Sequence, residues 1–422
     1  MERDLRADLS AGQGSGLSPT AAGRRRFPAG PPPLALYVHL PWCVRKCPYC
    51  DFNSHALSGA LPEGRYLDAL MADLDAQWTL LEAPRPLQSV FIGGGTPSLF
   101  SGTAIGQILD RVRGRFALVA DVEITLEANP GTVDAGHFQD YLRSGVSRLS
   151  IGVQSLSADH LGRLGRIHDP RQAREAVQVA RAAGFENINL DMMFALPRQS
   201  LTEAGDDLKG LIDLQPEHVS YYQLTLEPNT AFAHAPPPLP DDELASDMQD
   251  QGIELLAAAG YQRYEVSAFA KSGGRCRHNL NYWSFGDYIG IGAGAHGKLT
   301  DSGHGRVVRR ACQRHPDAYS VNPARPSSRR QLSDADLVLE FALNALRLVD
   351  GVQSEIFERH TGLPLQHIES VLGPLRDDGL LAPETDRIKP TALGLRFLND
   401  VLARFAMDCP ARPGLAALPS KD

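Results

Sequence analysis

Short apolar runs alternate with longer amphipathic runs through the first two thirds of this chain of 422 residues. Short apolar runs are typical of buried strands, and longer amphipathic runs are typical of helices. The predicted strands are Leu36–His39, Ser89–Ile92, Glu123–Leu126, Arg148–Val153, Asn187–Met192 and His218–Leu224. The predicted helices are Tyr66–Leu81, Thr103–Arg113, Ala135–Arg143, Pro170–Ala183, Leu201–Leu214 and Asp241–Ala259. This alternation predicts an α/β fold, a partial (β/α)6 TIM-like barrel with its functional residues at the carboxyl ends of the strands.

Three cysteines lie on one short loop after the first predicted strand, with the spacing C-x3-C-x2-C: Cys43, Cys47 and Cys50. Iron–sulfur clusters and structural zinc ions are normally held by four protein ligands. The remaining cysteines are distant in sequence: Cys276, Cys312 and Cys409. Three thiolates would hold a [4Fe–4S] cluster with one iron left open for chemistry. Structural zinc, with His39 or His55 as the fourth ligand, is the alternative.

The segment from Tyr37 to Phe52, which reads YVHLPWCVRKCPYCDF, resembles the cluster loop of radical S-adenosylmethionine (SAM) enzymes. More narrowly, it resembles the branch that contains the oxygen-independent coproporphyrinogen III oxidases (HemN) and the HemW heme chaperones. In that superfamily the open iron binds the amino and carboxylate groups of SAM, and the reduced cluster splits the sulfonium bond to release a 5'-deoxyadenosyl radical. The resemblance runs from about Leu34 to about Phe405 and implies a [4Fe–4S] cluster and SAM as cofactors.

A glycine triplet, Gly93 to Gly95, directly follows the second predicted strand and leads into Thr96 and Pro97. Glycine has no Cβ, so the backbone can come close to a ligand there. A tight turn is the other interpretation of such a triplet. The segment resembles the GGGTP sequence of the family, which contacts the methionine part of SAM. The resemblance therefore implies that Gly94, Gly95 and Thr96 bind SAM.

Four further polar residues lie at or just beyond predicted strand ends: Glu127, Gln154, Arg166 and Asp191. A carboxylate can accept hydrogen bonds from ribose hydroxyls, glutamine can donate and accept, and arginine can meet a carboxylate through two hydrogen bonds. One such residue would mean only that a strand ends there, but four at equivalent places favour a binding site. The resemblance implies that each belongs to the SAM pocket, together with Tyr37 and with Tyr49, which is expected to pack against the adenine.

Two departures from the oxidases favour the chaperone branch. The oxidases have a fourth cysteine two residues after the third, and Phe52 stands at that place here. The oxidases also have a longer N-terminal segment that shapes their active site. In this chain the corresponding segment is rich in glycine and proline.

The sequence RHNLNYW, from Arg277 to Trp283, resembles the HNxxYW signature of HemW and implies a heme-binding segment. Its heme-binding candidates are His278, Asn279, Tyr282 and Trp283. A neutral imidazole suits iron, and the aromatic rings offer flat apolar faces with polar edges to a porphyrin. A buried histidine among core aromatic residues is the other interpretation, and Cys276 is an alternative iron ligand.

The pattern changes after the glycine-rich stretch Gly290–Gly297, which is expected to close the active-site end of the barrel. We expect the barrel domain to span 34–300, a connecting loop 301–332 and a helical domain 333–406. Two helices followed by a short hairpin resemble the winged-helix-like C-terminal domain of the family. The candidate recognition helix Leu365–Asp377 has one arginine among acidic residues, whereas a DNA reader needs a basic face, so no nucleic-acid partner is expected.

Charge and composition narrow the function classes further. The net charge of −8 and the absence of a long apolar run argue against bulk attraction to nucleic acid or membranes. Residues 1–33 and 407–422 are expected to be disordered tails, with Arg24–Arg26 as a solvated patch. Sparse cysteines and the lack of a secretory pattern predict a reducing cytoplasm.

The sequence thus predicts a radical SAM protein that binds heme and passes it to acceptor hemoproteins such as respiratory-chain components. The alternative is an oxygen-independent coproporphyrinogen III oxidase, which forms protoporphyrinogen IX by two oxidative decarboxylations. A third interpretation, a zinc-loop regulator that reads DNA, is disfavoured by the acidic charge. An electron donor such as a flavodoxin or ferredoxin is expected. SAM cleavage, and the choice between monomer and homodimer, stay open.

Overall fold

The computed structural model describes residues 25–132 and 135–407. Within these ranges twelve strands form one open sheet, numbered here in chain order: β1 Leu34–Leu40, β2 Leu87–Gly94, β3 Leu118–Ala128, β4 Arg148–Gln154, β5 Ile188–Phe194, β6 His218–Gln223, β7 Gln262–Glu265, β8 Ala268–Ala270, β9 Asp287–Ile291, β10 His296–Asp301, β11 Arg306–Ala311 and β12 Ser328–Gln331. Their order across the sheet is β12-β11-β10-β9-β1-β2-β3-β4-β5-β6-β8-β7. The neighbours β9 and β1 to β6 are parallel, and antiparallel strands extend both edges.

Helices cover the sheet and form the C-terminal part of the chain. Those in the described ranges are α1 Glu63–Thr79, α2 Gly102–Arg115, α3 Ala135–Arg143, α4 Ala158–Arg163, α5 Pro170–Ala183, α6 Leu201–Ile212, α7 Ala231–His234, α8 Asp242–Ala258, α9 Arg277–Trp283, α10 Pro316–Val321, α11 Asp334–Ala345, α12 Ser354–Thr361, α13 Gln366–Asp377, α14 Ala392–Arg396 and α15 Leu398–Met407. None of these helices has the length and apolar character needed to cross a lipid bilayer.

Local signals in the sequence set the helix ends. In α5 the side chain of Asp169 accepts a hydrogen bond from the backbone of Gln172, whose side chain accepts one from the backbone of Asp169. Pro170 occupies the first turn, where its missing N–H costs nothing, and Gly184 ends the helix in the left-handed conformation. Start and stop signals of this kind explain why the predicted bounds of α5 match the structure.

The alternation of six strands and six helices is confirmed, and so is the partial barrel. Most strands of its parallel centre are buried almost throughout, and in β1 every residue except Tyr37 is buried. Strands covered on both faces read as continuous apolar runs, which made them visible in the sequence. One large apolar core lies between this sheet and its helices, including Leu36, Val38 and Ile92.

A seventh parallel strand, β9, was missed because its sequence is polar at one end. Asp287 begins the strand and is fully buried, where it pairs with the equally buried Lys298 at 3.0 Å and with Arg85 at 2.9 Å. The connecting loop predicted for 301–332 was wrong for the same reason. That region contains β11 and β12, which are rich in arginine, as well as α10. Edge strands that carry charge do not show an apolar pattern.

The N-terminal segment from residue 25 packs against the C-terminal helices. Phe27 is buried in a second apolar core, together with Phe341 and Phe357. The Arg25 side chain is 14% exposed, and its Nε donates to Asp334 at 2.7 Å. The prediction of a disordered tail was therefore wrong for 25–33, and that of a solvated arginine patch was wrong for Arg25, whereas Arg26 is exposed. Residues 1–24 and 408–422 lie outside the described residues.

The C-terminal region has the predicted order of helices and a small sheet. Helices α11 to α15 surround the second apolar core, and the strand pair Val352–Gln353 and Arg387–Ile388 is antiparallel. An isolated bridge between Leu381 and Pro390 forms the short hairpin. The mostly helical, winged-helix-like C-terminal part of the predicted fold is therefore confirmed.

Candidate functional site

The cysteine loop leaves β1 and is closed at its base by a short parallel pairing. Trp42 and Cys43 pair with His55 and Ala56. The His55 N–H donates to the Pro41 carbonyl at 2.7 Å, which fixes both ends of the loop. The three thiols therefore lie on a loop that is closed at its base and follows the carboxyl end of β1, as the barrel architecture predicts.

Each thiol has a polar neighbour that can stabilise negative charge. Thr96 Oγ1 donates to Cys43 Sγ at 3.4 Å, Cys50 Sγ lies 3.7 Å from Ser54 Oγ, and Arg166 Nη1 donates to Cys47 Sγ at 3.9 Å. Burial raises the pKa of the Cys43 and Cys50 thiols. A bound metal removes that proton, because coordinating thiols are held as thiolates. The loop is therefore suited to a metal centre.

The spacing of the thiols argues against a single zinc ion. Among the described residues, no group of three metal-ligating atoms that lie within 4.8 Å of one another includes any of these cysteines. The ligands of one tetrahedral ion would lie that close. Of the two candidate fourth ligands, His39 has both ring nitrogens occupied, by the Tyr37 hydroxyl and the Asn53 carbonyl, each at 2.9 Å, whereas His55 Nε2 has no hydrogen-bond partner among the described residues. The donor set fits a cluster of several irons better than one ion.

The glycine triplet allows other parts of the protein to pack closely against its backbone. A Cβ on Gly93 would lie 2.9 Å from Glu127 Oε2, and one on Gly94, whose φ is 121°, would lie 2.7 Å from the His39 ring. A Cβ on Gly95 would lie 2.5 Å from the Trp42 carbonyl oxygen. The glycines therefore permit close packing of the protein itself: Gly93 against Glu127, Gly94 against His39, and Gly95 against the backbone that leads into the cysteine loop. That Gly94 and Gly95 also admit a ligand stays a prediction, and both line the cavity described next.

A cavity of about 530 Å³ opens beside the cysteine loop, at the carboxyl ends of the strands. It brings together the three cysteines and all but one of the predicted SAM-binding residues: Tyr49, Gly94, Gly95, Thr96, Glu127, Gln154, Arg166 and Asp191. Tyr37 does not line the cavity. Its ring lies against Phe91, and its hydroxyl hydrogen-bonds His39, so it supports the site from outside the cavity.

Burial raises the pKa of two carboxyl groups in the cavity. Glu127 accepts a hydrogen bond from the Gly94 N–H at 3.0 Å, yet burial, with a contribution from Asp191, raises its pKa to about 8. Burial also raises the pKa of Asp191, which accepts from Asn189 Nδ2 at 2.8 Å. A cationic ligand would restore the charged state of both groups, because opposite charge favours ionisation. The cavity is thus prepared for a ligand with positive charge.

The Glu127→Gln variant should flatten the pH dependence of stability in the ligand-free protein. The ordinary pKa of the Glu127 carboxyl is 4.5, and its pKa in the folded wild-type protein is about 8. Between these values the folded protein holds a proton that the unfolded chain has lost, so stability falls as pH rises. We expect urea unfolding to show a loss of about 2–4 kcal/mol from pH 5 to pH 8 that the variant lacks. Glu227→Gln, at the same cavity, is the control; equal pH profiles for wild type and Glu127→Gln would contradict this account.

Sequence reasoning missed several residues that line the cavity. In β4 the residues Arg148, Ser150, Gly152 and Gln154 all line it, and in β5 Asn189, Asp191 and Met193 do. A strand presents every second residue to one face. That spacing of two was a signal in the sequence, because counting back from each predicted strand-end residue would have found its partners.

The HNxxYW segment forms helix α9 near the amino ends of the strands. Glu123, in the first half of β3, accepts from the backbone N–H groups of Arg277 at 2.9 Å and His278 at 3.4 Å. Ser89, early in β2, lies 3.1 Å from His278 Nδ1. These contacts place α9 inside the barrel on the far side from the cysteine loop.

Of the four predicted heme-binding residues, only Asn279 lines the cavity. His278 is 3% exposed and lies against the rings of Phe91 and Tyr282, each 5.1 Å from its own ring. Burial lowers its pKa to about 3, so its ring is neutral near pH 7, and its Nε2 has no hydrogen-bond partner among the described residues. Trp283 lies beneath the Arg347 guanidinium at 4.6 Å.

The partial barrel and the three-thiol loop define a radical SAM protein. Residues 37–210 match the model of the radical SAM superfamily, and residues 332–397 match that of the HemN C-terminal domain. The solved structure of coproporphyrinogen III oxidase (HemN) from Escherichia coli covers 89% of this chain and 90% of its own, with a TM-score of 0.74 and 23% identity. That likeness is one of fold. The family implies a [4Fe–4S] cluster and SAM.

Similarity to curated relatives shows which family within the radical SAM superfamily this chain belongs to. The chain is 50% identical over 378 residues to the heme chaperone HemW of Escherichia coli (strain K12), covering 89% of this chain and 98% of that protein. It is 46% identical over 377 residues to HemW of Haemophilus influenzae, with the same coverage. It is 35% identical over 385 residues to the mitochondrial radical S-adenosyl methionine domain-containing protein 1 of Bos taurus, covering 87% and 86%. The chain belongs to the HemW family.

Proposed function

We propose that this chain is a heme chaperone, which binds heme and transfers it to acceptor hemoproteins. The observation that carries the proposal is the 50% identity to a named heme chaperone along nearly the whole of that protein. Phe52 agrees with it: the side chain is 60% exposed on the cysteine loop, at the place where the resemblance puts a cysteine in the oxidases. Coproporphyrinogen III oxidase activity is the second candidate, favoured by the shared fold alone.

Cys43, Cys47 and Cys50 would hold the [4Fe–4S] cluster, with one iron left for SAM. The cluster and SAM together supply one-electron chemistry when bound. The protein positions SAM through residues on the cavity wall: Tyr49, Gly94, Gly95, Thr96, Glu127, Gln154, Arg166 and Asp191. Support comes from their common cavity and from the two buried carboxyl groups there, which suit the amino and sulfonium charges of SAM.

Heme would be bound through the segment around His278, Asn279, Tyr282 and Trp283. The neutral His278 ring with a free Nε2 is a suitable iron ligand. Because the ring is enclosed, iron reaches Nε2 only after the aromatic residues around it move apart. Cys276 ranks lower, since burial raises its pKa to about 12 and its Sγ donates to Glu123 Oε1 at 3.5 Å.

Several partners and boundaries belong to the same proposal. A flavodoxin or ferredoxin would reduce the cluster, respiratory-chain hemoproteins would accept heme, and the protein would act in the cytoplasm as a monomer or a homodimer. The sheet-bearing part would span 34–331, because β11 and β12 extend its sheet, and the helical domain would span 333–406. The N-terminal segment that buries Phe27 would then join the two parts.

Heme titration against coproporphyrinogen III turnover tests the proposal. The anaerobically reconstituted protein should bind heme with a distinct Soret band and fail to convert coproporphyrinogen III when SAM and reductant are present. His278→Ala should lower heme affinity about tenfold or more, or shift the Soret band, because the iron loses its ligand. Trp283→Ala should weaken binding less, and exposed His234→Ala is the control.

The outcomes of that experiment separate the two functions. Turnover of coproporphyrinogen III without heme binding would contradict the chaperone function and support the oxidase function. Heme binding that is unaffected by His278→Ala would leave the chaperone role in place and move the iron ligand elsewhere, with Cys276→Ala as the next variant.

A further inference from the structure

A buried positive charge without a partner lies in the wall of the cavity. Arg148 is 2% exposed and lines the cavity. Among the residues that the structure describes, its guanidinium makes no ion pair within 4.0 Å, and its buried Nε has no hydrogen-bond acceptor. A guanidinium has five N–H donors, and a buried charge is costly unless it is paired. An anionic ligand in the cavity would supply the missing partner.

The carboxylates nearest to Arg148 do not supply that partner. Glu123, Asp191 and Glu127 lie near enough for electrostatic interaction, which for Glu123 and Asp191 raises the pKa of Arg148. None of them comes within ion-pair distance. Glu123 is already committed to the amino end of α9, where it accepts from Arg277 and His278. A ligand must complete the coordination of Arg148.

Two neutral groups in the same cavity also offer unused donors. Ser150 Oγ accepts from Asn189 Nδ2 at 2.8 Å, which leaves its O–H free to donate. The Asn279 side-chain amide lines the cavity and makes no hydrogen bond in the described part of the chain. One guanidinium, one hydroxyl and one amide form a donor-rich surface, and the ligand that uses such donors is a carboxylate.

This surface is separate from the place of the SAM carboxylate. Arg148 begins β4 and Gln154 ends it, so their backbones are about 20 Å apart at 3.2–3.4 Å per residue. Arg166, which contacts Cys47, is the arginine next to the cluster loop, and in the proposed function the SAM carboxylate would lie there. Arg148 instead lies on the side of α9, where Asn279 enters the cavity.

We propose that Arg148, Ser150 and Asn279 form a carboxylate-binding subsite that receives a propionate arm of the iron porphyrin. The inference rests on the proposed heme function and deepens it, because it gives Asn279 a role separate from iron ligation. The porphyrin propionate and the SAM carboxylate share the same chemistry, and an experiment can distinguish them.

The test compares heme with its dimethyl ester on the reconstituted protein, by anaerobic Soret titration. The ester keeps the ring and the iron but removes both negative charges. Wild type should bind heme about ten- to hundredfold more tightly than the ester, as charge-assisted hydrogen bonds allow. Arg148→Gln should abolish that preference by weakening heme binding alone, and Asn279→Ala should reduce it partly.

Each result decides between defined alternatives. Equal affinity of wild type for heme and ester would overturn the subsite and leave the chaperone function intact. Binding of neither porphyrin would overturn both proposals. A third result would be loss of the SAM-induced change in the paramagnetic resonance spectrum of Arg148→Gln, with the heme preference unchanged. That result would assign Arg148 to SAM and also overturn the subsite. If Arg148→Gln fails to fold, the wild-type ester comparison and Asn279→Ala decide.

Discussion

Protein that carries Cys47→Ala should lose its cluster entirely. After anaerobic reconstitution we expect iron to fall from about four per chain to near zero, together with the charge-transfer absorbance. The loop offers three thiols, and the loss of one leaves two, which are too few to hold the cluster. Cys43→Ala and Cys50→Ala should behave alike. Iron content and absorbance measure the outcome directly.

Two other cysteines provide matched controls for this prediction. Cys276 and Cys312 are also free thiols, but they are buried and lie away from the cysteine loop. Cys276 donates to Glu123 and Cys312 to Asp73, each at 3.5 Å. Cys276→Ala and Cys312→Ala should keep full iron content. A complete cluster in Cys47→Ala would contradict the three-thiol assignment.

The fold could be predicted from sequence wherever burial is uniform along an element. Strands such as β1 and β5 lie between helices and read as apolar runs, and the helices carry their own caps. Prediction failed where stability comes from distant pairs. Asp287 is buried only because Lys298 and Arg85 meet it, and Phe27 is buried only because the C-terminal helices cover it. No local pattern reveals the contact between Arg85 and Asp287, which are 202 positions apart, or the packing of Phe27 against the C-terminal helices.

The residues of the candidate site were likewise predicted only in part. Glu127 and Gln154 were found because they lie at the carboxyl ends of parallel strands, which meet at one edge. The prediction that Asp191 closes a strand was wrong, since β5 continues to Phe194, although Asp191 does line the cavity. Arg148 and Asn189 were missed because they lie at the other ends of their strands, where the barrel interior, and not the loop edge, forms the site. The burial of His278 also depends on packing, since Ser89 and Phe91 of β2 enclose a ring that belongs to the distant helix α9.

The glycine triplet has a packing role in the structure besides the ligand approach that the sequence predicts. If Gly95 only admits SAM, a methyl group there should weaken SAM binding and leave the empty protein unchanged. The structure gives a different expectation. A Cβ at Gly95 would lie 2.5 Å from the Trp42 carbonyl oxygen and 2.8 Å from the Pro41 carbonyl carbon. Both atoms belong to the backbone that leads into Cys43, so they cannot rotate away as a side chain would.

Gly95→Ala should therefore destabilise the ligand-free protein by about 1–3 kcal/mol and lower its capacity to hold iron. The clash acts on the hydrogen bond from the Thr96 N–H to the Trp42 carbonyl, 2.7 Å long, which ties the glycine segment to the cysteine loop. Urea unfolding of the empty protein and iron content after reconstitution measure the two effects. Gly114→Ala is the matched control, because it is exposed in α2 with no atom within 4 Å of the added Cβ and should gain up to about 1 kcal/mol. If Gly95→Ala keeps its stability and full iron but loses the spectral response to SAM, close approach to the ligand is the reason for the glycine after all.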